Sequence, residues 1–332
     1  MTTKKTIHCR GTTEPILETI SVRGRRYYCL EKLSRRGAFR VFDPTAGPGG
    51  DYRVLYRFPR SQITTRNREV LRRLSGQTAN RNFPGIVDFV YKKNEFFVVV
   101  EWVTGSNLRD YVKAVRSDET PRPSIAEVVR LFRGLAHGVA HYHRRTQLVH
   151  GDISPANIIV TSPARQLVLI DFGSAWPIED TTEKDKGDGA TLPYASPERL
   201  DGSQVIDFRS DAFSLAVVAY ELITLEVPYD GLGGRAGLPQ VAKVAAKSYK
   251  PPSKLNRQAE RLTRSAIAQL DSCFQQSLAL ARESRYKTVS DWLTDWDRLN
   301  SQCQKGTQLT PLESAIVNLL DTIAGLLGRK KN

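Results

Sequence analysis

Two short runs concentrate the polar residues that could do chemistry. The first is His150-Gly-Asp-Ile-Ser-Pro-Ala-Asn157, followed by the apolar run Ile158-Ile-Val160. The second is Leu167-Val-Leu-Ile-Asp-Phe-Gly173, an apolar strand that ends in Asp-Phe-Gly. Transfer of a phosphoryl group needs a carboxylate beside the acceptor hydroxyl and oxygen ligands for the divalent cation that bridges the phosphates. Asp152 suits the first role, and Asn157 and Asp171 suit the second. Magnesium keeps several of its waters and needs only one or two protein oxygens, so two such residues suffice. Either run alone is a weak signal. Both together, in this order and about fourteen residues apart from Asn157 to Asp171, form a strong one.

The elements that must hold these runs divide along the chain. The first hundred residues read as short strands rich in aromatic and β-branched residues: Tyr27–Leu33, Ala38–Phe42, Tyr52–Phe58, Ile86–Val90 and Glu95–Val100. Turn material such as Thr45-Ala-Gly-Pro-Gly-Gly50 separates them, and one helical pattern interrupts them near Thr64–Leu74. After Thr104-Gly105-Ser106 helical periods take over, at Leu108–Val115, Ser124–His143, Ser210–Leu225, Ala259–Ala281 and Val289–Asn300. A small strand-rich lobe joined to a larger helical one is the expected architecture.

With both runs in place, the chain resembles the protein kinase family, and the likeness extends beyond them. Pro193-Tyr-Ala-Ser-Pro-Glu198 is similar to the Ala-Pro-Glu anchor that closes the activation segment. Ser210-Asp-Ala-Phe-Ser-Leu-Ala-Val-Val-Ala-Tyr-Glu-Leu222 resembles the central buried helix of the large lobe. The resemblance implies that Asp211 holds the catalytic-loop backbone and that Arg285 pairs with Glu198. Glu101-Trp-Val-Thr-Gly-Ser-Asn-Leu108 resembles the hinge on which adenine sits, which makes Glu101 and Val103 candidate nucleotide contacts. The likeness covers about residues 25–298. It implies an α+β, bilobal kinase-like fold: an extension over 1–24, a β-rich N-lobe with one helix over 25–102, a mainly helical C-lobe over 103–300, and a tail over 301–332. ATP and Mg2+ are the implied cofactors.

The family pattern fails in several places. Leu33-Ser-Arg-Arg-Gly-Ala-Phe-Arg-Val-Phe42 keeps one glycine, Gly37, of the phosphate-covering Gly-x-Gly-x-x-Gly loop. The third strand should end in Ala-x-Lys, and Tyr52-Arg-Val-Leu-Tyr-Arg57 offers Arg57 at or near that position. Arginine keeps the charge but not the compact geometry. The lysine's partner should be a glutamate on the N-lobe helix. If Leu71 and Leu74 face the core, the inward position is Asn67, with Glu69 solvated on the opposite face. Gly151 replaces the arginine that reads activation-loop phosphorylation. Ser154 replaces the lysine that Ser/Thr kinases place on the transferring phosphate, which leaves it with Asp152 as a candidate catalytic residue; kinases of the aminoglycoside type also lack that lysine. Arg35, Arg36 and Arg40 crowd the eroded loop. With-no-lysine kinases draw their phosphate-binding cation from this loop, so Arg40 or Arg57 is expected to grip the phosphates; the alternative is that these arginines decorate a surface hairpin.

The chain has 332 residues and a net charge of +14, with 20 Lys/Arg against 8 Asp/Glu in residues 1–100 and 29 against 27 in the remainder. Nucleic-acid or membrane binding by a uniformly basic surface is thereby disfavoured. One basic lobe points to nucleotide phosphate, an acidic partner or nucleic acid, or to a solvated face with no specific partner. No apolar stretch is of transmembrane length and no secretory signal opens the chain, so a cytoplasmic protein with reduced, structural Cys9, Cys29, Cys273 and Cys303 is expected. His137 and His141 lie four apart on a helix without the glutamate of a zinc-binding motif. Thr181 and Thr182 are candidate phosphosites, whereas Thr191 matches a structural threonine near the catalytic aspartate. Residues 311–327 form an amphipathic pattern that must be buried by docking on the large lobe, by self-association or a partner helix, or at a membrane surface. The leading expectation is ATP- and Mg2+-dependent phosphoryl transfer to Ser/Thr of a protein substrate. The alternatives are a pseudokinase acting as a nucleotide-binding or scaffolding module, and a small-molecule kinase of the His-Gly-Asp type.

Overall fold

The computed structural model describes residues 5–34, 37–75, 80–178, 189–202 and 206–305. Arg35, Arg36, Thr181, Thr182 and the amphipathic stretch 311–327 lie outside them. Thirteen strands and nine α-helices fall among the described residues, in two lobes.

The N-lobe begins with a two-stranded hairpin, β1 (Thr6–Cys9) and β2 (Thr12–Pro15). An antiparallel six-stranded sheet follows, formed by β3 (Glu18–Val22), β4 (Arg25–Lys32), β5 (Ala38–Asp43), β6 (Asp51–Pro59), β7 (Ile86–Lys92) and β8 (Glu95–Glu101) in the order β3-β4-β5-β6-β8-β7. β3 falls in the stretch read from sequence as an extension, yet pairs with β4 from Glu18↔Cys29 to Val22↔Arg25. The sheet curls until β3 meets β7. Its inner face packs Ile20, Val22, Tyr27, Cys29, Phe39, Val41, Leu55, Phe97 and Val99 into a core of its own. Side chains alternate between faces along each strand. Arg40, Phe42, Val54 and Tyr56 therefore share the other face, as the registers Arg40↔Val54 and Ala38↔Tyr56 require.

Helix α1 (Thr65–Ser75) lies between β6 and β7 and buries Val70 and Leu74. The C-lobe contains α2 (Leu108–Arg116), α3 (Ile125–Thr146), α4 (Pro197–Asp201), α5 (Phe208–Thr224), α6 (Ala242–Ala245), α7 (Pro252–Leu255), α8 (Arg264–Ser277) and α9 (Val289–Lys305). Ser124 caps α3 by accepting from the Glu127 amide at 3.1 Å, as its position ahead of the apolar period leads one to expect. α5 is apolar nearly all round and buries every residue from Ser210 to Thr224, so it serves as the axis against which α3 and α8 pack. Short strands complete the lobe: β9 (Gly105–Asn107), β11 (Ile158–Thr161) and β12 (Leu167–Leu169) in one sheet, β10 (Leu148–Val149) with β13 (Trp176–Pro177) in another. Among the described residues no helix is long and apolar enough to cross a membrane.

Candidate functional site

The catalytic loop is the connection between β10 and β11, and its backbone is held from below. Asp211, 1 % exposed on α5, accepts from the His150 amide at 2.7 Å and the Gly151 amide at 3.0 Å. His143 Nε2 lies 2.7 Å from the same carboxylate, a buried contact that sequence reading missed because α3 and α5 are far apart in the chain. Burial by itself would raise the Asp211 carboxyl, but the hydrogen bond and charge of His143, with the loop amides, hold it below the usual carboxylate range. Gly151 adopts φ +76°, and a Cβ there would lie 2.7 Å from the Ser174 carbonyl. The residue that replaces the family's arginine thus permits a backbone contact that a side chain would block.

Asp152 opens into the cleft between the lobes. Its Oδ1 accepts from the Thr191 amide at 2.9 Å, and its Oδ2 accepts from Asn157 Nδ2 at 2.8 Å. The same Asn157 amide donates to the Asp152 carbonyl at 2.9 Å, which leaves the Asn157 Oδ1 outside both bonds. Burial pushes the Asp152 carboxyl up, opposed by the hydrogen bonds from Thr191. Burial likewise pushes the His150 ring down, although Asp211, Asp152 and Asp171 all favour its charge. A carboxylate raised above its usual range and fixed by two donors is suited to taking a hydroxyl proton.

Ser154 does not reach this cleft. It is fully buried, and its hydroxyl has no hydrogen-bond partner among the described residues. The 3-10 turn Pro155–Asn157 that follows swings the chain so that Asn157, not Ser154, faces Asp152.

Asp171 follows β12 with φ +65° and accepts from the Gly173 amide at 3.0 Å. Its neighbour Phe172 packs inward, 5.3 Å from the His150 ring, 5.4 Å from Tyr142 and 5.9 Å from Phe83. This inward ring turns Asp171 to the exposed side, and the Ile170 amide bonds the Asn157 carbonyl at 2.8 Å, tying the two runs together. The candidate cation ligands are thus hard oxygens flanking the paired strands β11 and β12, one just before β11 and one just after β12. Among the described residues no group of three or more His, Cys, Asp or Glu is gathered, as magnesium, unlike zinc, does not require. His137 pairs with Asp297 at 2.9 Å instead of with His141.

The activation segment ends in the expected anchor. Arg285 donates to both Glu198 oxygens at 2.8 and 3.0 Å, and both side chains are buried. Ser210 adds a third donor to Glu198 at 2.7 Å.

The N-lobe departs from the sequence reading at several polar positions, although Glu69 lies on the helix surface as expected. Arg57 lies on the face of β6 away from the cleft, with Nε 2.6 Å from Glu95 and a second ion pair to Glu18 at 3.3 Å. A one-residue shift in a strand moves a side chain to the opposite face, so the position expected to hold the lysine belongs to Tyr56. Leu55 is buried in the inner core, so Tyr56 beside it points to the opposite, cleft-side face; burial, and then the charge of Asp171, push its hydroxyl up. Arg40 does share the cleft face, but two cross-strand pairs nearer the hinge, opposite Val54. Its guanidinium is taken by Glu14 and Glu31. Gly37 adopts φ +93°, and a Cβ there would lie 2.4 Å from the Arg57 carbonyl, so the close approach of the loop to β6 accounts for this glycine.

On α1 the buried residues are Val70 and Leu74, not Leu71. The inward position one turn earlier is therefore Arg66, whose guanidinium stacks 4.4 Å from the Trp176 ring. Asn67 instead closes a capping box with Thr64: its amide donates to Thr64 Oγ1 at 3.2 Å and its Oδ1 accepts from the Thr64 amide at 3.0 Å. Glu69 pairs with Arg72 and Arg73 on the helix surface; hydrogen bonds from both lower its carboxyl to about 2. Tyr56 and Arg66 thus stand where the family's lysine and glutamate were expected. The strict alternation from Val54 and the i,i+4 series 66, 70, 74 were the signals that could have found them. At the hinge, Glu101 turns its carboxylate back to the Gly85 amide at 2.9 Å, so this stretch has only backbone to offer a base; Val103 follows, half-buried.

This bilobal fold, with an aspartate–asparagine loop, an inward Phe172 and a buried anchor pair, defines a protein-kinase-like domain. Residues 60–285 match the protein kinase domain family, and the chain belongs to that family. It is similar to the serine/threonine-protein kinase PknF of Mycobacterium tuberculosis, 27% identical over 273 residues that make up 79% of this chain and 50% of the relative. Serine/threonine-protein kinase PknB of the same organism is 29% identical over 271 residues, 77% of this chain and 40% of the relative. The chain spans half or less of the length of these curated relatives. Among solved structures, the Mycobacterium tuberculosis PknI kinase domain superposes with a TM-score of 0.57 at 20% identity, covering 84% of this chain and 98% of that one. The PK-1 kinase of Cydia pomonella granulovirus gives 0.62 at 20% identity, covering 81% and 93%.

Proposed function

We propose that this protein transfers the terminal phosphoryl group of ATP to a serine or threonine hydroxyl of a protein substrate, with Mg2+ as cofactor. The observation that supports this reading is the assembled pair Asp152–Asn157, buttressed by the Thr191 amide and joined to Asp171 through the Ile170–Asn157 backbone bond. Asp152 orients the acceptor hydroxyl and takes its proton as the new P–O bond forms. Asn157 and Asp171 hold Mg2+, which when bound neutralises charge on the phosphate oxygens. The adenine rests against the hinge backbone at Glu101–Val103. The peptide-anchoring segment ending at Glu198 favours a protein over a small-molecule acceptor. The basic N-lobe offers a surface for an acidic partner, around exposed Arg60, Arg68, Lys92 and Lys93 near Tyr91.

A second reading is a pseudokinase that binds nucleotide or partners without transfer. Tyr56 and Arg66 in place of the lysine–glutamate pair favour it, since neither supplies a compact cation for the phosphates. Radiolabelled transfer from Mg-ATP to Ser/Thr peptides or to the protein itself decides between them. Transfer by the wild type that vanishes in Asp152→Asn supports the kinase reading. Equal incorporation in both, or none in the wild type while nucleotide binds, sinks it.

A further inference from the structure

The hairpin β1–β2 is absorbed by none of the roles above, and it covers the underside of the sheet at the hinge end of the cleft. Its position follows from registers. Arg40 on β5 opposes Val54 on β6, and Val54 opposes Val100 on β8, immediately before the hinge. Ala38 opposes Tyr56 two pairs further along, on the same face and away from the hinge. Any group bound to Arg40 from below therefore stands beside the hinge, under the same face as Tyr56.

Glu14 of β2 is that group. It accepts from Arg40 Nη1 at 3.2 Å and Nη2 at 2.5 Å, and from the Tyr52 hydroxyl at 2.9 Å. The Arg40 guanidinium lies 5.2 Å from the Tyr52 ring and makes a further bond to Glu31 at 3.1 Å. Burial alone would raise the Glu14 carboxyl, but the hydrogen bonds from Arg40 and Tyr52 hold it below its usual range. Cys9 of β1 is completely buried against Leu30 and Phe42. Arg10 at the hairpin turn ties down the other side, reaching the Gly50 carbonyl at 3.3 Å and Asp51 at 3.1 Å. Two carboxylates, Glu14 and Glu31, thus take up this cation beside the hinge.

We propose that the N-terminal hairpin is a latch over the base end of the nucleotide cleft, closed by Glu14 on Arg40, and that nucleotide binds only once it opens. The inference rests on the reading of this cleft as a nucleotide site. It assigns Arg40 to closing the site, not to gripping phosphate, and makes residues 6–15 an inhibitory element of the same chain.

The test uses the full chain and two readouts: titration with a fluorescent Mg-ATP analogue, and the alkylation rate of Cys9 followed by peptide mass spectrometry. Glu14→Ala should speed Cys9 alkylation and tighten nucleotide binding by about tenfold or more. Arg40→Ala opens the latch without leaving a free cation and should tighten binding as well. Saturating nucleotide should also speed Cys9 alkylation in the wild type. If Cys9 becomes reactive in Glu14→Ala while affinity is unchanged, the latch is overturned and the nucleotide reading survives. Weaker binding in Arg40→Ala would make Arg40 a nucleotide ligand and overturn the latch too. If Cys9 opens in both variants and no form binds nucleotide, the nucleotide reading itself falls, and the latch with it. Unchanged Cys9 reactivity in both variants would show that Glu14–Arg40 does not hold the hairpin, and overturns the proposal directly.

Discussion

Replacing Arg285 with methionine should be among the most damaging single changes in the C-lobe. Arg285 is 3 % exposed and Glu198 2 %, so neither can be rehydrated without local unfolding. The guanidinium makes two bonds to Glu198, at 2.8 and 3.0 Å, and also donates to the carbonyls of Ala279 at 2.8 Å and Arg209 at 3.2 Å. It lies 4.6 Å from the Phe213 ring as well. Arg285→Met keeps much of the volume but leaves a buried carboxylate with Ser210 as its side-chain donor, at an expected cost of about 3–5 kcal/mol. Urea denaturation followed by circular dichroism reads this as a lower midpoint. The pH dependence supplies a second check. In the wild type, burial would raise the Glu198 carboxyl, but the charge and hydrogen bonds of Arg285 outweigh it, so its folded value lies below the unfolded one. That contribution is complete above the unfolded value of about 4.3 and is lost as pH falls through the lower folded value. In Arg285→Met burial is opposed only by the Ser210 and backbone hydrogen bonds, so the folded value moves up and protonation relieves the variant as pH falls. The deficit should therefore shrink toward low pH. A deficit under about 1 kcal/mol at neutral pH, or one that stays constant with pH, would refute the reasoning that the pair is a desolvated ion pair.

Two further outcomes bear on the site. Ser154→Ala should leave transfer activity within about twofold and stability unchanged or slightly higher, because its buried hydroxyl has no partner to lose; a large loss of transfer with normal folding would restore Ser154 to the catalytic set. Since burial pushes the Asp152 carboxyl up and the base must be unprotonated, the acid limb of kcat/KM should fall at a pH above the ordinary aspartate value of about 3.9. A profile still flat at pH of about 4 would contradict that assignment.

The C-lobe was legible because its signals are contiguous. Asp152 and Asn157 lie in one loop, Asp171 follows one strand, and α5 reads as a continuous apolar run, so local spacing marked them as candidates. Arg285 and Glu198 are far apart in sequence, and only the family likeness brought them together before the structure did. The N-lobe was misread by single-residue phase. A strand alternates every residue and a short helix turns by 100° per residue, so a one-position error exchanged Arg57 for Tyr56 and Asn67 for Arg66.

The sequence by itself thus determined the family, the bilobal architecture and the catalytic loop. Tertiary structure alone decided which arginines face the cleft, that Ser154 is sealed in the core, that His143 supports Asp211, and that β3 joins the sheet while β1 and β2 fold beneath it. The physical reason is one of range. Motifs record contacts between residues a few positions apart, whereas Glu14 meets Arg40, and His143 meets Asp211, only after sheet registers and helix packing have brought distant segments within hydrogen-bonding distance.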